Sequence, residues 1–95
     1  MKKGYVYILT NQGHTTLYVG VTSDILRRIS QHEAGQGSAF TRKYNLHKLV
    51  FLEEYEGIIS AIEREKQLKG GSRAKKIVLI ERMNPDWRDL SSLLE

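Results

Sequence analysis

The chain has 95 residues, no cysteine, and 15 Lys and Arg against 11 Asp and Glu, for a formal net charge of +4. That length suits one domain, the lack of cysteine excludes a disulfide scaffold or a cysteine-ligated zinc site, and no window approaches the ~20 apolar residues of a membrane-spanning helix. The positive balance suits a polyanion partner such as nucleic acid, and it is equally an ordinary solubility device. The expectation is a soluble cytoplasmic protein, mature from Met1, with no membrane partner.

Tyr5 to Leu9 and Leu17 to Val21 are short and rich in aromatic and β-branched residues, and the polar Asn11, Gln12, Gly13 and His14 lie between them. This pattern predicts an antiparallel hairpin. Thr22, Ser23 and Asp24 offer N-caps for a first helix whose apolar stripe is Ile25, Leu26 and Ile29, and Gly35 and Gly37 end it. At 100° per residue Arg27 points away from that stripe, whereas Arg28 and His32 lie one turn apart along its edge and can act on one object.

Gly35 to Thr41 reads as a loop leading to Arg42 and Lys43, and Leu46 to Tyr55 reads as a third strand between hydrophobic layers. Ser60, Ala61, Ile62 and Glu63 match a capping box, which predicts the start of a second helix at that point and leaves Glu63 facing outward. Its stripe runs through Ala61, Ile62 and Leu68, with Glu65 in the middle. Gly70, Gly71 and Ser72 break the chain before a third helix from Arg73 to Met83, stopped by Pro85. Trp87, Leu90, Leu93 and Leu94 at helical spacing predict a capping helix over about residues 86–94, closing a core over about residues 4–83 of a single domain, 1–95.

A carboxylate inside an apolar stripe needs a cation, a metal ion or strong hydrogen bonds. For Glu65 the plain reading is an ion pair with Lys69 or an arginine, and the functional one is a divalent-metal ligand. Arg28 could pair with Asp24, and Tyr7 and Tyr18 could be strand-packing residues. Together, two phenols, a guanidinium, an imidazole and a carboxylate on one side of a small sheet are the parts required to cut a phosphodiester.

These residues resemble the GIY-YIG nuclease domain. Tyr5, Val6, Tyr7 stand at the first signature triplet and Tyr18, Val19, Gly20 at the second. Arg28 follows at the family spacing, His32 takes a position held by His or Tyr, and Ala61 leads to Glu65. The likeness is closest to small stand-alone bacterial proteins of the family, through Tyr44, Glu65 to Gly70, Ser72 to Lys76, and Asn84, Pro85 and Trp87. Val21 stands where excision-repair relatives have a lysine.

The resemblance implies an α/β (α+β) fold, a three-stranded antiparallel sheet flanked by helices, and a divalent-metal-dependent endonuclease that hydrolyses DNA with low sequence specificity, in repair or processing. It implies catalytic roles for Tyr7, Tyr18, Arg28, His32 and Glu65, with Glu65 holding one Mg²⁺ or Mn²⁺. Arg42, Lys43, Lys48, Lys69, Arg73, Lys75 and Lys76 are the candidate contacts to the DNA backbone. The alternatives are a nucleic-acid-binding module that cuts nothing, and a domain whose exposed Trp87 and leucine-rich tail dock a protein partner or a second copy.

Overall fold

Strand propensity and turn chemistry produce the expected hairpin, and its first strand becomes the centre of the sheet. The computed structural model describes residues 2–94, so Met1, taken above as the start of the mature chain, and Glu95 lie outside the described residues. The elements are β1 (Gly4–Thr10), β2 (Leu17–Thr22), α1 (Ile25–Glu33), α2 (Ala39–Lys43), β3 (Lys48–Tyr55), α3 (Ile58–Gly70), α4 (Arg73–Met83) and a 3₁₀ turn at Leu90–Leu94. The sheet order is β2-β1-β3, with both pairings antiparallel.

Alternation along β1 sorts the core into two layers. Val6 and Ile8 join Val19, Val50, Phe51, Ala61, Leu68 and Ile80 under α3 and α4. Tyr7 and Leu9 join Ile25, Ile29, Leu46 and Leu49 under α1 and the 3₁₀ turn. The result is an α+β fold with helices on both faces of the sheet.

The β1–β3 register shifts between Ile8, opposite Phe51, and Leu9, opposite Leu49, which leaves Val50 as a bulge. The bulge lets adjacent Val50 and Phe51 both serve the same layer. Its backbone is met by the chain's tail: Asn84 Nδ2 donates to the Val50 carbonyl at 3.2 Å, and Leu49 N donates to Asp89 Oδ1 at 3.2 Å. Asn84 also donates to the Arg88 carbonyl at 2.7 Å and accepts from the Arg88 amide at 2.9 Å.

The tail therefore differs from the helix expected over 86–94. Trp87 has a φ of 54°, outside any helix, and only Leu90–Leu94 forms a helical turn. Asn84 and Asp89 are engaged with β3, and their bonds hold the chain in a turn that helical periodicity alone does not reveal. Trp87 is half-buried, packs on the α3–α4 layer, stacks on His14 at 4.7 Å, and donates to Glu81 at 3.1 Å. It is not the exposed docking residue of the third reading.

Three helix details also differ. Leu26 is 52% exposed, and the buried face of α1 is Ile25, Ile29 and His32. Within the expected loop, Ser38 caps the short α2 by accepting from the Thr41 amide. Helix α3 begins at Ile58 after Gly57, before the expected capping box, and its N-cap makes no side-chain hydrogen bond. Tertiary packing overrides the box: a Cβ on Gly4 would come within 2.7 Å of Ala61 Cβ and 2.8 Å of the Gly57 carbonyl, so the start of α3 lies directly on β1. Ser60 and Glu63 are left exposed.

Replacing Asn84 by alanine strips partners from the Val50 carbonyl and the Arg88 backbone. The expected loss of stability is about 2–4 kcal/mol, read as a lower denaturant midpoint at unchanged slope. A loss under ~0.5 kcal/mol would mean that the tail does not brace the bulge.

Candidate active site

In the hairpin register Tyr7 stands opposite Gly20. A Cβ at Gly20 would overlap Cζ and Oη of Tyr7, so the ring lies across the glycine and its hydroxyl reaches toward the β2 edge of the sheet. Any larger residue at 20 would block this crossing. Tyr7 has no exposed surface. Burial is the largest influence on its phenol and pushes its pKa up to about 12, while the Arg28 charge pulls downward and Tyr18 and Glu65 push upward.

The groups acting on this hydroxyl come from three elements, β2, α1 and α3. Tyr18 of β2 is half-buried, with its ring 6.4 Å from that of Tyr7. His32 of α1 lies edge-on to both rings, at 6.1 Å from Tyr7 and 6.2 Å from Tyr18, and its Nε2 is 3.4 Å from Tyr7 Oη. His32 is 3% exposed and its Nδ1 has no hydrogen-bond partner. Burial, then Arg28, then His47 lower its pKa below the ordinary 6.5.

Arg28, one turn before His32, is half-buried. Asp24, its expected plain partner, instead caps α1 through the Arg27 amide at 3.1 Å, and no Asp24–Arg28 ion pair occurs among the described residues. The guanidinium is thus available to an anion.

Glu65 projects from α3 and pairs with Lys69 at 3.3 Å, the plain partner expected from the sequence. The carboxylate side chain is only 15% exposed against 54% for Lys69, so the flexible lysine is the member that can yield. Among the described residues no group of three or more His, Cys, Asp or Glu could hold a metal ion. A single half-buried carboxylate does not fit a closed structural site. It does fit Mg²⁺ or Mn²⁺, which keeps waters and shares ligands with a substrate phosphate.

The basic residues divide by position. Lys69 and Lys76 line a groove of about 310 Å³ along β2 with Leu17, Tyr18, Val19 and Phe40. Arg73 donates to the His14 carbonyl at 2.8 Å, and Lys48 Nζ lies 2.9 Å from His14 Nε2, so these two flank the β1–β2 loop rather than the groove. Arg42 and Lys43 are exposed on α2, and Lys75 is exposed in the first turn of α4.

Sequence reasoning did not single out Phe40, which stacks on Tyr18 at 6.1 Å, or Gly37, where a Cβ would overlap Nδ1 of His32. Phe40 had one signal: an aromatic next to basic Arg42 and Lys43 in a stretch without apolar periodicity. Gly37 had none beyond helix termination, because its role depends on the loop folding back over α1.

No helix among the described residues is long and apolar enough to cross a membrane. The family model described as the GIY-YIG catalytic domain matches residues 3–77. A UPF0213 protein of Natronomonas pharaonis is 40% identical over 76 residues, covering 80% of this chain and 88% of the relative. A UPF0213 protein of Syntrophus aciditrophicus is 40% identical over 87 residues, covering 90% and 98% respectively. The solution NMR structure of a UPF0213 protein from Bacillus halodurans superposes with a TM-score of 0.59 at 31% identity over 96% of each chain. It shares the α+β architecture described above, and together these matches show that the chain belongs to the GIY-YIG catalytic-domain family, among the small UPF0213 proteins.

Proposed function

We propose that this protein is a divalent-metal-dependent endonuclease that hydrolyses DNA phosphodiester bonds with low sequence specificity, in DNA repair or processing. The observation that carries this reading is the packing of Tyr18 and His32 on the buried Tyr7 phenol, within the electrostatic reach of Arg28 and Glu65 and beside an edge groove. Packing alone does not call for a charged and titratable set around one phenol.

In this reading Arg28 clamps the phosphate and stabilises the charge that develops on it. Glu65 would hold the divalent metal ion, which when bound would supply further positive charge for phosphodiester hydrolysis. Tyr7, protonated at neutral pH with a pKa of about 12, orients the attacking water rather than deprotonating it. His32, kept neutral by its lowered pKa, takes the proton through Tyr7 as the water oxygen bonds to phosphorus and the bond to the leaving strand breaks. Tyr18 positions the phosphate, and the DNA backbone follows Lys69 and Lys76 along the groove, with Arg42, Lys43, Lys48, Arg73 and Lys75 as outer contacts.

The Glu65–Lys69 pair favours one rival, a nucleic-acid-binding module in which Glu65 is structural. Incubating supercoiled DNA with Mg²⁺ or Mn²⁺ separates the two. Wild type is expected to nick, and Glu65→Ala and Arg28→Ala to lose about 10²–10³-fold in rate. Undiminished nicking by Glu65→Ala sinks the metal-site assignment, and no nicking by wild type leaves the binding module.

The pH profile tests the proton path. Activity that needs neutral His32 should be level at pH 7 and fall with unit slope only on the acid side of 6.5, since the His32 pKa lies below that value. Tyr7, at about 12, should leave the profile level up to roughly pH 10. His32→Gln should remove the acid limb. An essential group titrating between pH 8 and 9 would assign the base elsewhere.

If the lysines neutralise phosphates, log affinity for duplex DNA should fall linearly with log salt at a slope near one per contact. Lys69→Ala and Lys76→Ala should each flatten the slope by roughly one. A salt-independent affinity is incompatible with this surface role.

A further inference from the structure

Helix α2 and its C-cap residue leave two aromatic side chains partly in solvent. Phe40 is 44% and Tyr44 41% exposed, whereas the other large exposed apolar residues, Leu26, Ile59, Val78, Met83 and Leu93, are aliphatic. The two aromatics are four residues apart and so share one side of the helix, with ring centroids 4.9 Å apart. Phe40 stacks in turn on Tyr18, at 6.1 Å and an interplanar angle of 30°. A continuous aromatic row thus runs from Tyr7 through Tyr18 and Phe40 to Tyr44.

Folding does not require this row to extend to the surface. Thr41, 2% exposed, is the buried residue of α2, and its hydroxyl donates to the Ser38 carbonyl at 3.0 Å. Cations lie along the row: Lys43 Nζ sits 5.3 Å from the Tyr44 ring, and Lys69 and Lys76 share the groove with Tyr18 and Phe40. Aromatic faces interleaved with unbranched cations suit a chain that alternates flat bases with phosphates. In a duplex the base faces are already stacked on each other, so only an unpaired base can use such a surface.

We infer that Phe40 and Tyr44 form a stacking site for unpaired nucleobases beside the cleavage centre, so that the preferred substrate is DNA with a single-stranded segment at the cut. The inference rests on the nuclease reading for its ligand and adds the structure of that ligand. The strand's phosphates face Lys43, Lys69 and Lys76 while its bases lie against the two rings.

The test measures fluorescence anisotropy of a labelled single strand and of a hairpin duplex of the same sequence, with a chelator present so that nothing is cut. Wild type should bind the single strand about tenfold more tightly than the duplex. Phe40→Ala and Tyr44→Ala should each weaken single-strand binding roughly tenfold and shrink that preference, and Phe40→Trp should keep it. Circular dichroism should match wild type, since neither side chain belongs to the buried core. Equal affinity for strand and duplex in wild type, equal losses on both probes, or no loss in the alanine variants would overturn the stacking site. Binding is read without turnover, so a protein that fails to nick yet shows the Phe40-dependent preference loses only the nuclease reading. One that nicks without that preference loses only the stacking site.

Discussion

The crossing of the Tyr7 ring over Gly20 is the constraint on which the site depends. Tyr7 belongs to the central strand, and a side chain there would ordinarily be consumed by the core. Because Gly20 has no Cβ, the ring passes over the neighbouring strand and delivers its hydroxyl toward the sheet edge, where helices from both faces can reach it. One residue therefore anchors the α1 layer and organises the polar cluster. Its elevated pKa comes chiefly from the burial that the first role imposes, against the downward pull of Arg28.

A second close approach works on the opposite face. Gly4 lets the start of α3 lie against β1, with Ala61 fully buried at the contact. Glu65, one turn further along α3, is carried into the electrostatic reach of Tyr7 from the opposite layer. Arg28 and His32 approach through α1, whose position is set by Ile25 and Ile29 against Leu9 and Leu49. The polar set is thus held by two glycine contacts and two hydrophobic layers, so its geometry is inherited from packing rather than from hydrogen bonds within the set. Within the set, the hydrogen bond between Tyr7 Oη and His32 Nε2 is long at 3.4 Å.

The far side of the sheet solves a different problem. A bulge in β3 allows Val50 and Phe51 to serve one layer, and Asn84 and Asp89 of the tail satisfy backbone groups beside it. This explains a polar segment between α4 and the last apolar residues. Its leucines at helical spacing still find burial, since Leu90 and Leu94 pack on the α1 layer, although the intervening chain is a turn.

Local rules made the strands, the hairpin, an N-cap among Thr22, Ser23 and Asp24 and the position of Glu65 on its helix legible from the sequence, because propensity, turn chemistry and the 3.6-residue period act over a few neighbours. The same period put Arg28 and His32 side by side, without telling that His32 would be buried or that Arg28 would be free of Asp24. The start of α3, the short α2, the turn at Trp87, the Gly37 contact and the exposed pair Phe40 and Tyr44 were decided by the tertiary structure alone. Each follows from which surfaces meet across the chain, as when Gly57 meets Gly4 or Asn84 meets Val50, and close approach between residues distant in sequence leaves no mark in local periodicity.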